Sequence, residues 1–373
     1  MTTGTGLSGD REQQGGAVLL VAADAVRIRE EATAGPPHPR VDFLELAAAL
    51  EAEVVSYSET ARSNNCLVQL IFRRFSRPLA LALHGFFGHR RARLFFTGAE
   101  NIGLPLALLL KLFRAPAAQV MIGHLLSEPK KRPFYLLRPF SRVHGLICYS
   151  TVQTDYARKR LGLEAERVNR IDFQVDASFF DDGGTAPAGP VLSVGRELRD
   201  YPTWFEALEG TDLRALVIAS SPWSRREDQT AGRTIPENVQ LKKGLTYEEL
   251  RACYRAAPLV VVPLQDVASP AGITSILEAM ACSRPVVVSD TPGIREVIRP
   301  GVTGELVPCG DAGALRRTVQ DLLAEPERLA RMGRAARDWV LEGRTIEHFV
   351  ERISAVAERA LAWKRGERTW RES

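Results

Sequence analysis

Cysteine is scarce in the 373-residue chain and never paired: Cys66, Cys148, Cys253, Cys282 and Cys309 stand apart, with no CxxC among them. That excludes the usual sulfur-ligated zinc spacings and suits reduced thiols in a cytosol. No apolar run reaches the ~18 residues that a spanning helix needs. HExxH, GxSxG and Walker motifs are missing, and no DxD stands at a strand end, since Asp181-Asp182 falls in a turn-rich linker. Zinc-protease, serine-hydrolase and P-loop chemistries are thereby excluded, and no obligatory metal is implied. Net charge is only +4, with 45% apolar and 25% charged residues, so the whole molecule makes no case for nucleic acid. The first residues, MTTGTGLSGDREQQGG, lack the basic-then-apolar pattern of a signal peptide. They read as a disordered leader over 1–16 of a cytoplasmic protein.

Acid is also missing locally. Between Glu59 and Glu100 there is none, while Arg62, Arg73, Arg74, Arg77, Arg90, Arg91 and Arg93 fall there among long apolar runs. Two readings stand open for residues 62–93: a face lying on an anionic membrane, and two core helices with polar ends.

The chain is long enough for two domains with full cores. Strands are expected at Ala17–Ala23, Glu53–Tyr57, Arg93–Thr97, Gln119–Gly123, Gly145–Tyr149 and Val168–Phe173. Helices are expected between them at Val41–Leu50, Asn65–Phe75, Leu79–His89, Leu104–Phe113 and from Ser150-Thr151 to Arg160, with Gly98–Asn101 a loop. Asp181–Pro190 is rich in turn formers and reads as the domain boundary. A second series then follows, with strands at Val191–Val194 and Ala215–Ala219, and helices at Thr203–Leu208 and Tyr247–Ala257. Strands alternating with helices predict parallel sheets, giving an α/β domain over 17–185, another over 190–345 and a terminal helix within 346–373.

The richest stretch is Pro258–Pro308. Leu259–Val262 reads as a strand buried on both faces and Ile273–Cys282 as a helix, with Ser269-Pro270-Ala271-Gly272 between them. The N–H groups of Gly272, Ile273 and Thr274, with the Thr274 hydroxyl, would face the crevice where an open parallel sheet binds anions. Val286–Val288 is the next strand and Ser289–Gly293 a second loop at the same edge. Earlier, Ser193-Val194-Gly195-Arg196 sets an arginine just past a strand, with Arg199 three residues on. A guanidinium there can fork onto a diphosphate; solvated surface arginines are the plainer reading.

LEAMACSRPVVVSDTPGIREVI followed by GVTGELVPCGD resembles the donor-sugar signature of glycosyltransferases with the GT-B fold, specifically the large retaining family 4. The resemblance implies two Rossmann-like parallel-sheet domains facing a cleft. The nucleotide sugar would sit on the second domain and the acceptor on the first, and the terminal helix would pack back on the first. It implies Arg196 on the diphosphate, with Arg199 standing where relatives usually have a lysine. It also implies Glu278 on the ribose; the second glutamate expected eight residues earlier is Pro270 here. His124, after a strand in the first half, would face the donor sugar, although a lone histidine is as readily structural. Glu100, Lys130 and Lys131 are the acceptor-side candidates, against plain readings as a helix cap and a solvated pair.

The implied reaction moves a sugar from a nucleotide diphosphate sugar to an acceptor hydroxyl with retention, Arg196, Glu278 and His124 being the catalytic candidates. No cofactor or metal beyond the donor substrate is implied. The acceptor would be a small molecule, a glycan or a lipid-linked group. Two other readings are a nucleotide-sugar epimerase of the same fold and a non-catalytic nucleotide-binding partner.

Overall fold

A computed structural model describes residues 15–35, 37–184, 186–219 and 234–367. The expected leader lies outside the described residues except for Gly15 and Gly16, which open the first strand instead. The chain divides into two compact units. One comprises residues up to Thr33, Val41–Ile171 and residues from Val350 onward; the other comprises Ala34–Arg40 and Asp172–Phe349.

The first unit begins with β1 (Gly15–Leu20), α1 (Ala25–Ala34), α2 (Asp42–Ala49), β2 (Ala52–Val55) and α3 (Tyr57–Ala61). It continues through α4 (Cys66–Arg74), α5 (Arg77–Gly88), β3 (Ala92–Thr97), α6 (Glu100–Leu112) and β4 (Ala118–Ile122). Short α7 (Arg132–Tyr135), β5 (Gly145–Cys148), α8 (Thr151–Lys159) and β6 (Val168–Arg170) follow. The sheet is parallel, in the order β2-β1-β3-β4-β5-β6. Its strands are apolar on successive residues because both faces are covered. Val18, Leu20 and Phe95 pack with Leu81 and Phe86 of α5 and Ile102 and Leu106 of α6.

The second unit is built from β7 (Val191–Val194), α9 (Tyr201–Leu208), β8 (Ala215–Ile218), β9 (Val239–Lys242) and α10 (Tyr247–Ala256). Next come β10 (Val260–Val262), α11 (Ile273–Ala281), β11 (Val286–Ser289), β12 (Gly304–Val307), α12 (Ala312–Ala324) and α13 (Pro326–Leu341). Its sheet, β12-β11-β10-β7-β8-β9, is also parallel. The strand order reverses between β7 and β10, the doubly wound pattern. Alternation along the strands feeds two cores. Val260, Val262, Val286 and Val288 pack with Ile276, Leu277 and Met280, while Val261 and Val287 face the core of Trp204, Phe205, Leu315 and Val319. The terminal helix α14 (Ile346–Arg365) begins in the second unit and continues in the first, where Arg359 donates to Asn169 at 2.6 Å.

The chain departs from expectation at several places. α6 starts at Glu100, so Glu100 and Asn101 of the segment expected as a loop belong to its first turn, Gly98 and Ala99 stay ahead of it, and Pro105 lies inside the helix. Proline removes one backbone bond there, yet Ile102, Gly103, Leu104 and Leu106 are all buried, and that packing holds the turn helical. Ser150 takes the N-cap of α8, but its buried hydroxyl makes no cap bond. α1, β9 and β12 carry no strong periodic signal of their own, and tertiary pairing and packing fix them.

Candidate functional site

In the second unit, the loop after β7 and the loop after β10 meet at the strand-order reversal. Gly195, with φ of +108°, bends the chain off β7 and bonds Ile218 O at 3.0 Å. Arg196 follows, half-buried; among the described residues it has no hydrogen-bond partner, and its Nε is buried without one. Arg199 does the opposite. Its side chain is buried over Gly195, with Nε donating to Val194 O (2.9 Å), one terminal nitrogen to Glu197 O (3.0 Å) and the other to Ser275 Oγ (3.1 Å). Its backbone bridges Leu264, and the Leu198 carbonyl accepts from Gln265 N (3.0 Å), so the two loops are stitched together. A Cβ on Gly195 would stand 2.2 Å from the Arg199 guanidinium, so a side chain there would displace the stitch.

Gly272 caps α11 in the left-handed region, and the N–H groups of Gly272, Thr274 and Ser275 have no intramolecular partner among the described residues. The Ile273 N–H is spent on Pro270 O at 3.3 Å, and Thr274 is exposed. Pro270 sits in the loop ahead of the helix, pressed on the 290–294 segment. A Cβ on Gly293 would lie 2.2 Å from Ser269 O.

Glu278, in the second turn of α11, is buried and accepts from the Tyr254 hydroxyl at 2.8 Å through Oε2. Burial pushes its carboxyl up to about 7, against the Tyr254 bond and the Arg199 charge, which pull it down. Tyr254, Ser275 and Arg199 thus form a polar network around Glu278 beneath the start of α11. Tyr254 and Ser275 were not singled out by the sequence; Tyr254 sits in an ordinary amphipathic helix pattern, and only the fold turns it onto Glu278.

In the first unit, Glu100, His124, Lys130 and Lys131 belong to one loop system. The Glu100 carboxylate, buried at the start of α6, accepts from His124 N (3.0 Å), Leu125 N (3.2 Å) and Lys131 Nζ (2.5 Å). Burial acts to raise its pKa, but the Lys131 bond and the His124 and Lys131 charges outweigh that and hold it below the ordinary value. Lys131 also bonds Leu125 O at 2.7 Å, so its charge is committed internally, while the exposed Lys130 pairs with Glu128 at 2.6 Å. His124 Nε2 donates to Gly98 O at 3.0 Å, which leaves Nδ1 as the acceptor, and its ring centroid lies 5.5 Å from that of Tyr149. Among the described residues, no cluster of three or more His, Cys, Asp or Glu could hold a metal ion.

Residues 205–339 match the family model described as "Glycosyl transferases group 1". Over 136 residues the chain is 35% identical to a GDP-mannose-dependent alpha-(1-6)-phosphatidylinositol monomannoside mannosyltransferase of Mycolicibacterium smegmatis, covering 35% of this chain and 36% of that protein. It is 28% identical over 199 residues to a D-inositol 3-phosphate glycosyltransferase of Gordonia bronchialis, covering 52% of this chain and 40% of that protein. The chain therefore spans well under half the length of these relatives. Among solved structures, Anabaena HepE in complex with UDP-glucose superposes with a TM-score of 0.67 at 15% identity, over 92% of this chain and 100% of that one. A glycosyltransferase from Rickettsia africae gives 0.67 at 12% identity, over 93% and 99%. The fold is GT-B, with two Rossmann-like parallel-sheet domains.

Proposed function

We propose that the chain is a retaining glycosyltransferase of family 4 type that moves a hexosyl group from a nucleotide diphosphate sugar to an acceptor hydroxyl. The observation that carries this reading is Arg196: a half-buried guanidinium, its Nε buried without a partner among the described residues, set just past β7 at the strand-order reversal. A buried arginine nitrogen left unbonded costs free energy, and a diphosphate supplies the acceptor oxygens it lacks. The free N–H groups at the start of α11 lie at the same sheet edge and favour negative charge. Arg199, whose bonds are spent, shapes the loop that presents Arg196.

The matched region and the activities by which the relatives are named support a nucleotide sugar as donor. Their acceptors, phosphatidylinositol monomannoside and D-inositol 3-phosphate by name, support a polyol or lipid-linked hydroxyl here. In the step, the bond from sugar C1 to the diphosphate oxygen breaks and a bond from C1 to the acceptor oxygen forms on the same face. The departing phosphate oxygen takes the acceptor proton, so no protein base is required. Arg196 and the α11 N–H groups stabilise the charge that builds on the diphosphate. Glu278 holds the ribose hydroxyls, with its carboxyl oriented by Tyr254. In this reading the His124 Nδ1 accepts from a sugar hydroxyl, and Glu100 fixes the loop that carries His124. Pro270 cannot bond sugar hydroxyls with its side chain, so on the second unit their recognition falls to the N–H groups of Gly272 and Thr274. The chemistry calls for no metal, because arginine and backbone N–H groups take the place of a cation on the diphosphate.

Calorimetry with UDP and GDP tests the assignment. Arg196→Ala is expected to weaken binding of the preferred diphosphate by roughly 1.5–3 kcal/mol, with the matching nucleoside unaffected. Equal diphosphate affinity in variant and parent overturns it.

A further inference from the structure

The first unit displays large apolar side chains that its core does not need. At the end of α6, Leu112 is 74% exposed and Phe113 about half exposed; in and after α7, Leu136 is 84% exposed, with Phe134 and Leu137 also out in solvent. The two groups form one patch, because Lys111 Nζ at the end of α6 donates to Leu137 O at 2.8 Å. The patch extends over α5, where the Phe113 ring lies 5.7 Å from Phe87, and Arg90 stacks on both rings. α4 also packs on α5 and shows Leu67, Leu70 and, at its end, Phe75 at 76% exposure.

This display is built. Tyr135 is pinned by its hydroxyl to Leu126 O at 2.7 Å, Phe140 is buried, and their rings lie 5.3 Å apart. Between these anchors Arg138 adopts a left-handed conformation that turns the chain. The flanking residues are held down and Leu136-Leu137 are pushed out. An apolar pair that merely failed to pack would not be clamped at both ends.

The segments that carry the patch are strongly basic, with Glu53, 3.6 Å from His89, at its Phe87 edge. Residues 60–154 carry 14 lysines and arginines and two acidic residues, Glu100 and Glu128. Glu100 is buried on Lys131, and Glu128 is paired with Lys130. Arg73, Arg74, Arg114, Arg132 and Arg138 are exposed among the apolar side chains. Protruding leucine and phenylalanine ringed by cations match the interface of an anionic bilayer, where the rings and leucines enter the acyl boundary and the cations meet the headgroups. Among the described residues no helix is long and apolar enough to cross a membrane, so the contact would be one-sided. We infer that this face of the first unit, centred on Leu112, Phe113, Leu136 and Leu137, docks on an anionic lipid surface. The inference stands on this surface alone and does not depend on the nucleotide reading.

Flotation of the full chain with phosphatidylcholine vesicles, with and without phosphatidylglycerol, provides the test. Binding should require phosphatidylglycerol and weaken as salt is raised. The double variant Leu136→Ser, Leu137→Ser should lower partitioning by roughly tenfold or more, and Arg132→Glu with Arg138→Glu should do likewise at low salt. Unchanged circular dichroism and an unchanged thermal midpoint would show that each variant is folded. Absence of vesicle binding at low salt overturns the inference, as does binding that the leucine variant leaves intact. A leucine variant that only turns a dimer into a monomer also overturns it, because the patch would then be covered by a second copy.

Discussion

Arg196 and Arg199 lie three residues apart and read alike in the sequence, yet the structure uses them differently. Arg199 is buried with its nitrogens on Val194 O, Glu197 O and Ser275 Oγ, whereas Arg196 keeps an unbonded Nε. Arg199→Met would strand two carbonyls and a hydroxyl in a closed space, at a cost of roughly 2–5 kcal/mol in urea unfolding. Arg196→Met should leave unfolding within about 0.5 kcal/mol of the parent and lower diphosphate affinity instead. A pair of variants with the same effect on stability would show that the division of labour is wrong. The sequence could place both arginines past a strand, but it could not tell which one turns inward. That choice depends on Gly195, whose missing Cβ leaves the space the Arg199 guanidinium occupies.

At the scale of elements, the site is made where loops press together. The 269–272 loop touches the 290–294 loop so closely that a Cβ on Gly293 would fall 2.2 Å from Ser269 O. Backbone on both sides cannot rotate away, so Gly293→Ala must part the loops. We expect a loss of about 1–3 kcal/mol in thermal or urea unfolding, together with weaker donor binding. A variant as stable as the parent would mean that the loops are free to separate. The strand–loop–helix steps over 258–308 were legible because their strands are unbroken valine runs closed by proline and glycine. α6 was misplaced by four residues because the proline inside it mimics a helix start, and β12 was missed because it takes its strand form from pairing with β11.

For the whole molecule, pH should act on the two units in opposite senses. His144, in the first, is held near pKa 4 by burial and by the Arg142, Arg167 and Lys364 charges. Its Nδ1 also accepts from Gln119 N at 3.1 Å. Its unfolded value is 6.5, so the stability it contributes is full above that and is lost as pH falls towards 4. His84 is shifted in the same direction, by burial first. Glu278, in the second unit, is raised from 4.5 to about 7, so its contribution is full below 4.5 and is lost as pH rises through 7. Each effect is on the order of 3 kcal/mol. Between about pH 5 and 6.5, thermal midpoints of Glu278→Gln should rise with pH and those of His144→Asn should fall. Parallel trends in the two variants would remove one of these groups from the balance.

The sequence by itself determined the class of the fold and the address of the site. Apolar runs of strand length, separated by helix-length periodic segments, admit only parallel sheets covered on both faces, and turn formers after β7 and β10 mark their carboxyl ends. Tertiary structure alone decided what each polar side chain does there. Glu278 meets Tyr254, Glu100 meets Lys131, and Arg199 meets Ser275 because strands and helices distant in the chain become neighbours. It also decided that Leu112 and Leu136, as apolar as any core residue, stand outside. Local pattern records that a residue is apolar or charged; whether a partner is present depends on contacts between segments far apart in sequence.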